Sequence, residues 1–309
     1  MSSKRTSWIL FSVGSIFILV AAYAWLFLQH PIGQPGAYSI DISAMRALAK
    51  KNPTQLPTQI ESLVIAEGEF PAAAVVAGWS LFKKHRMTFA SYRLIYKNHS
   101  LIIDTAHDHT THSDNYSGQP FYDDNYSKMQ AELTSAANHN GQILLTHEHP
   151  DHIGGILKSE NLEAVSKITT ISKEQMEGAS QFANQEQLQY FSPIDYSGII
   201  SPAPGVVIQK AAGHSPGSQI VYVVLQDGRE FLFTGDIAWD YASIKTGIIR
   251  PLIVSLLFLH ENRQWVANQL LALQKLAENE PNLHIVVAHD ANQLEELRLK
   301  NIVVEGSHN

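Results

Sequence analysis

The chain has 309 residues, 45% of them hydrophobic, which allows one large domain or two smaller ones with a sizeable core. Its net charge of −7, from 22 basic and 29 acidic residues without a basic stripe, argues against a nucleic-acid partner. The absence of cysteine excludes disulfide bonds, thiolate nucleophiles and cysteine-ligated metal.

Residues 1–30 predict a membrane segment that precedes the folded part of the chain. Lys4 and Arg5 come before an almost unbroken apolar run at 8–28, about the ~20 residues that a helix needs to cross a hydrocarbon core. No Lys or Arg follows until Arg46, so the positive-inside rule places the N-terminus in the cytoplasm and the rest outside. We therefore expect a single-pass inner-membrane anchor with a periplasmic domain. The alternative is a signal peptide cleaved near residues 22–24, which would release a secreted protein.

The next segment, residues 31–58, is rich in proline and glycine and predicts a linker with a short helix at 42–50. Strands are predicted beyond it over residues 60–65, 88–96 and 100–103. The last of these ends in a carboxylate, Asp104.

Residues 105–127 predict a long polar loop that contains His107, His109 and His112. A loop of this length inside a compact domain is usually a functional lid or disordered. The three histidines could bind a metal ion or could be exposed polar residues, and we favour the exposed loop.

The densest group of chemically active residues lies in Thr-His-Glu-His-Pro-Asp-His-Ile-Gly-Gly, residues 146–155. It places His147, His149, Asp151 and His152 within six positions, directly after a short apolar strand at 143–145. Histidine suits zinc, iron, copper and nickel, whereas carboxylate suits harder cations. The pattern predicts metal ligands on the loop at the end of a buried strand.

Later strands also lead into polar groups. We predict strands at 206–211, 219–225, 230–233 and 284–288, and helices at 129–138, across much of 159–190, at 265–277 and from 292 onward. His214, Asp236 and His289 follow strand ends.

The apolar stretch 251–259 is too short to span a membrane. We favour a core helix or strand there, and the alternative is an apolar lip over the active site that touches the bilayer.

Taken in order, these motifs resemble those of the metallo-β-lactamase-fold hydrolase superfamily. The resemblance implies an α+β fold, an αββα sandwich over residues 59–305 with the metal site at one edge of its sheets. It implies two divalent ions, zinc first, with iron or manganese also possible. It assigns the roles by position: His147, His149 and His214 to the first ion, Asp151, His152 and His289 to the second, Asp236 as the bridge, and Asp104 behind the ligands.

The same resemblance implies a binuclear hydrolase that uses a hydroxide shared by the metals, with Asp151 orienting it or moving its proton. The fold does not determine the substrate. We expect a small-molecule lactone or ester, because the protein is predicted to be exported and 251–259 could accept an acyl chain. A β-lactamase, a thioesterase and a phosphodiesterase stay as alternatives, and a metal-binding scaffold domain is the non-enzymatic one.

Overall fold

The structure is a computed structural model that describes residues 2–306, with side chains from residue 11 onward. It contains two β-sheets. The strands are β1 Gln59–Pro71, β2 Lys84–Ile95, β3 Ser100–Ile103, β4 Gln142–Leu144, β5 Thr169–Thr170, β6 Ile199–Ala203, β7 Val206–Lys210, β8 Gln219–Val224, β9 Glu230–Phe233, β10 Leu283–Val286 and β11 Val304–Glu305. The helices are α1 Ser2–Tyr23, α2 Ile42–Ala49, α3 Ala72–Val75, α4 His109–Asn115, α5 Asp123–Asn138, α6 Pro150–Leu157, α7 Leu162–Lys167, α8 Lys173–Ala179, α9 Gln185–Leu188, α10 Tyr241–Thr246, α11 Leu252–Val254, α12 Arg263–Asn279 and α13 Ala291–Leu299.

The first sheet has the strand order β11-β1-β2-β3-β4-β5, and the second has the order β10-β9-β8-β7-β6. β1 and β2 form a long antiparallel hairpin, whereas β3 and β4 run parallel, as do β9 and β10. Parallel neighbours end at the same sheet edge. The residues that follow β3 and β4 therefore lie at one edge of the first sheet, and those that follow β9 and β10 lie at one edge of the second.

The two sheets pack face to face between outer layers of helices. Strand β8 shows this clearly, because all of its side chains are buried. Val221 and Val223 face the first sheet, in a core where the ring of Tyr92 on β2 lies 5.0 Å from the ring of Phe233 on β9. Ile220 and Tyr222 face the opposite way, into a core shared with α2 and α12. The architecture is thus helix, sheet, sheet, helix, as predicted.

At the N-terminus, α1 continues into a single π-helical turn at Ala24–Leu28. The segment Phe11–Leu28 is long and apolar enough to cross a membrane, and none of it is buried in the protein. A membrane anchor and a signal sequence both have this form.

The segment predicted as a linker contains the expected helix, α2. The Asp41 side chain accepts a hydrogen bond from the Ala44 amide at 2.9 Å and caps its first turn. Ile42, Met45 and Ala49 are buried against the second sheet. This part of the chain therefore packs onto the domain.

Residues 105–127 are not the loop of three exposed histidines that we favoured, since only His109 is exposed. Asp108 caps α4, and the rings of His107 and His112 are buried, with His107 Nε2 2.9 Å from His112 Nδ1. The His107 ring stacks on Tyr116, and the His112 ring contacts Tyr116 at a tilt. The segment lacks apolar periodicity, so the helix is visible only through its cap and through aromatic contacts that depend on tertiary structure.

The prediction of a core element at 251–259 is also wrong for its middle. The chain forms α11 and then a π-helical turn at Ser255–Leu259. Val254 and Ser255 are buried, but Leu256, Leu257 and Phe258 point into solvent. We call these three residues the apolar lip.

Candidate metal centre

The structure brings all seven predicted ligand residues together at one edge of the sheets. They follow β4 (His147, His149, Asp151, His152), β7 (His214), β9 (Asp236) and β10 (His289). We expected the first four on a loop, but α6 begins at Pro150, so Asp151 and His152 lie in its first turn. Proline at the first helical position favours this start. The helix also packs tightly, because a Cβ on Gly155 would clash with the Thr105 carbonyl oxygen.

Three imidazoles form the first donor group. His149 Nδ1 lies 3.1 Å from His147 Nε2 and 2.9 Å from His214 Nε2. Three nitrogens around a tetrahedral zinc at 2.0–2.1 Å would be separated by ~3.3 Å. The observed spacing is close to that required.

Asp151, His152, Asp236 and His289 form the second donor group. His152 Nε2 and His289 Nε2 lie 3.2 Å and 3.1 Å from Asp236 Oδ1. Asp151 Oδ2 lies 3.5 Å from His289 Nε2. The other oxygen of Asp236, Oδ2, lies 3.4 Å from His214 Nε2. Asp236 therefore directs one carboxylate oxygen to each group.

The donor atoms fit a cation. His152 Nε2 and Asp236 Oδ1 are both buried and have no hydrogen-bond partner among the described residues. Buried polar atoms are rarely left unsatisfied. A divalent ion between them would satisfy both, and imidazole with carboxylate is a ligand set that zinc accepts.

The protonation of the histidines differs between the groups. Burial, reinforced by the neighbouring imidazoles, holds the pKa of His147 well below its usual value and lowers that of His149 to about 4. These two rings are neutral and offer lone pairs. Burial alone would also lower the pKa of His152, but Asp104, Asp151 and Asp236 raise it well above the usual value. The three carboxylates around His152 thus favour positive charge in the second group.

Hydrogen bonds behind the rings set their orientation. His152 Nδ1 lies 2.9 Å from Asp104 Oδ2, and the Asp104 carboxylate also accepts bonds from the Thr146 amide and hydroxyl, both at 2.7 Å. His289 Nδ1 lies 2.8 Å from the Thr88 carbonyl oxygen. Each contact leaves Nε2 free to face the centre, the usual arrangement behind histidine ligands. Asp104 is outside both donor groups.

Comparison with known proteins agrees with this geometry. The family described as the Metallo-beta-lactamase superfamily matches residues 141–289, which include the whole set of candidate ligands. Among curated proteins, no match was found.

Solved structures share the fold of this chain. A quorum-quenching N-acyl homoserine lactone lactonase matches with a TM-score of 0.62 and 15% identity, covering 78% of this chain and 95% of its own. An N-acyl homoserine lactone hydrolase, with its product N-hexanoyl-L-homoserine at the catalytic metal centre, matches at 0.60 and 15%, covering 78% and 96%. A mutant of B. thuringiensis AiiA, with N-decanoyl-L-homoserine at its active site, matches at 0.61 and 16%, covering 78% and 96%.

Sequence reasoning missed one group of residues behind His214. Glu261 Oε2 lies 3.4 Å from His214 Nδ1 and accepts a 2.5 Å bond from Arg250 Nη2. Glu261 Oε1 accepts a 2.6 Å bond from the Ser255 hydroxyl. Burial alone would raise the pKa of Glu261, but Arg250 and His214 hold it far below its usual range, so the residue is a carboxylate. Its sequence context gave no signal, because no predicted strand leads into it.

Glu148 and Trp239 were missed as well. Glu148 Oε2 accepts a 2.9 Å bond from the Ser215 hydroxyl, which joins the loop after β4 to the loop after β7. The Trp239 indole donates a 2.6 Å bond to Asp236 Oδ2. Glu148 could have been suspected, since it lies between two of the predicted histidine ligands.

The candidate centre opens into a cavity of about 500 Å³. His149, Asp236 and His289 lie on its polar side. Phe258 and Leu259 line another part of the wall, so the exposed lip and the candidate ligands share one cavity. His107 lies in the wall too and is outside both donor groups that the described residues form.

Proposed function

We propose that the chain is a binuclear metal-dependent hydrolase, most active on a lactone or ester, with its catalytic domain held outside the cytoplasm by α1. One observation carries the binuclear assignment. Asp236 directs Oδ2 toward the first donor group and Oδ1 toward the second. A carboxylate in this position is suited to bridge two cations.

In this proposal His147, His149 and His214 hold the first ion, and Asp151, His152 and His289 hold the second. Asp236 bridges them, and Asp104 orients His152. Two such ions, zinc in the first instance, would supply a hydroxide nucleophile at neutral pH and polarise the substrate carbonyl oxygen.

Asp151 has a second proposed role. Its side chain is less buried than those of His152 and His289 and lies in the cavity wall. This position supports a role in which its carboxylate orients the attacking water and holds its proton until the leaving alkoxide takes it. A carboxylate can do this only when ionised, and the surrounding histidines lower the pKa of Asp151 against the opposing effect of burial.

The substrate class is supported by the cavity and by the comparisons. An apolar wall beside the ligands could hold an acyl chain while the ester carbonyl faces the metals. Structures of the same fold are described with acyl-homoserine products at the catalytic metal centre or active site. Lactone opening needs one carbonyl and one leaving oxygen, which two cations can bind together.

A metal analysis and a hydrolysis screen test the proposal. The full chain, purified in detergent without chelators, should bind two divalent ions and hydrolyse acyl-homoserine lactones. His149→Ala should abolish turnover and serves as the blank. Turnover only of a β-lactam, a thioester or a phosphodiester would reassign the substrate. Near-zero bound metal after supplementation with zinc would sink the catalytic proposal and favour a scaffold domain.

The domain limits follow from the same reasoning. We propose residues 59–305 as the catalytic domain and residues 1–30 as the membrane anchor, with residues 31–58 joining them. The burial of α2 against the second sheet makes this joining segment part of the folded body.

A further inference from the structure

The apolar lip is unusually exposed for large hydrophobic side chains. Leu256, Leu257 and Phe258 are 50%, 63% and 72% exposed. They occupy consecutive positions in one turn, and adjacent apolar groups of this size on a surface mark an interaction site. The question is which surface covers them.

The end of the N-terminal helix lies beside the lip. The turn at 24–28 packs against α11, which leads directly into the lip. The Phe27 carbonyl oxygen accepts a 3.1 Å bond from the Gly78 amide, and the Gln29 carbonyl oxygen accepts a 3.0 Å bond from Arg263 Nη2. If α1 spans a bilayer, these contacts hold the lip close to the membrane surface.

A second pair of exposed apolar side chains lies on the loop that contacts Phe27. Leu81 and Phe82 are exposed, Phe82 to 95%. They are followed by two exposed lysines, Lys83 and Lys84. Aromatic and apolar side chains next to lysines are typical of segments that lie in the interface of anionic membranes.

The distribution of charge fits the same surface. The chain has 29 acidic residues, yet none lies in 1–40, 70–103 or 241–260. These three segments contain α1, the Leu81–Phe82 loop and the lip. The surface they form would not be repelled by anionic headgroups, although the whole chain carries a charge of −7.

The lip also forms part of the active-site mouth. Val254, Phe258 and Leu259 line the cavity that contains Asp236 and His289. A surface that covers the lip therefore borders the entrance to the cavity that leads to the metal centre. An amphiphilic substrate could pass along the lip with its acyl chain in an apolar phase throughout.

We propose that the apolar lip and the Leu81–Phe82 loop insert into the interfacial region of the bilayer that holds α1, so that the cavity opens onto lipid. The substrate is then an amphiphile whose acyl chain partitions into that bilayer. This inference rests on the proposed anchor and deepens the proposed ester or lactone chemistry.

Single-cysteine labelling tests the docking, since the chain has no cysteine of its own. Four variants of the full chain, each with a single cysteine, are labelled with an environment-sensitive fluorophore in lipid nanodiscs. They are Phe258→Cys, Phe82→Cys, Ile18→Cys and Leu299→Cys. Leu299 is a matched control, because it is 78% exposed and ends α13, which begins beside His289 and leads away from the centre. Bound zinc, measured for each variant, confirms that the fold is intact.

Interfacial segments lie about 5–10 Å into the headgroup boundary, so nitroxides near the carbonyl end of the acyl chains should quench the labels at 258 and 82 by about twofold or more. The label at 299 should be unaffected and open to iodide. A second set of nitroxides, near the ends of the acyl chains, reports on the label at 18 in the middle of the proposed span. The docking would be overturned, and the anchor kept, if the deep nitroxides quench the label at 18 while the labels at 258 and 82 are quenched by iodide and not by the nitroxides near the carbonyl end.

Two other results would also overturn the docking. Labels at 258 and 82 shielded from both quenchers would identify a second copy of the chain as the covering surface. A label at 18 that nitroxides near the ends of the acyl chains do not quench would remove the anchor and the docking together. Hydrolysis in detergent is measured separately, so the proposed chemistry can fail or succeed independently of these results.

Discussion

Glu261→Gln should weaken metal binding at the first donor group although Glu261 touches no metal position. Glu261 is a buried carboxylate that Arg250 and Ser255 hold against His214 Nδ1. Glutamine keeps the shape but removes the charge that accepts the imidazole proton. Loss of such a contact behind a histidine ligand typically costs about 10–100-fold in metal affinity. Arg250 would also be left as a buried, unpaired cation, which costs about 3–5 kcal/mol of stability.

The assay is a zinc titration against a competing chromophoric chelator, with thermal unfolding of the metal-free protein measured in parallel. Glu280→Gln is the control, since it also removes a carboxylate bonded to an arginine, Arg46, but at the surface. It should leave the zinc Kd unchanged. If Glu261→Gln does not fold, Ser255→Ala removes only one bond to Glu261 and should weaken zinc binding less. A folded Glu261→Gln variant with a zinc Kd within about threefold of the parent would refute the reasoning, because the effect expected is about 10–100-fold.

Three further predictions follow from the same geometry. Asp236→Ala removes the oxygens that face both donor groups, so bound zinc, measured by mass spectrometry, should fall from two ions per chain to one or none. Two retained ions would contradict the proposal that Asp236 bridges the two metal positions. Asp104 has a φ of 56°, which asparagine tolerates, so Asp104→Asn should fold normally. Its affinity for the second ion should fall about 10–100-fold. An unchanged zinc titration would show that His152 needs no anionic partner. Phe258→Ser should raise the KM for a long-chain lactone about tenfold, close to the lower end of the ~1.5–3 kcal/mol that burial of an apolar side chain contributes, and leave a short-chain lactone unaffected. Equal effects on both substrates would rule out an acyl contact there.

The strand-end residues of the site could be anticipated from sequence because they depend on local pattern. The bounds of β9 agree with the predicted strand at 230–233, and Asp236 follows three residues later. β3 ends at Ile103, so Asp104 comes directly after it, and His289 follows the end of β10 at Val286 by three residues. A short apolar run identifies a buried strand, and the sheet then places its terminal residue at the shared edge.

The residues behind the ligands could not be anticipated in that way. Glu261 is 47 positions from His214, and the two meet only after the second sheet and α12 have packed. His107 and His112 are buried by aromatic neighbours at Phe89 and Tyr116, which the polar composition of their own segment does not reveal. Tertiary contacts decide these positions, whereas periodicity reports only on the element that contains them.

Residues 255–263 explain how one short segment can serve both the metal centre and the surface. The π-helical turn exposes Leu256 to Phe258, while Ser255 and Glu261 on either side point inward. Arg263 donates one bond to the Ser255 hydroxyl at 2.9 Å and another to the Gln29 carbonyl oxygen at 3.0 Å. Ser255 in turn donates to Glu261, which contacts His214. The end of the proposed anchor, the base of the lip and a candidate metal ligand are therefore linked by successive hydrogen bonds. A mouth built this way keeps its position relative to the metal centre when the lip is covered, because moving the lip would require breaking bonds to a buried carboxylate.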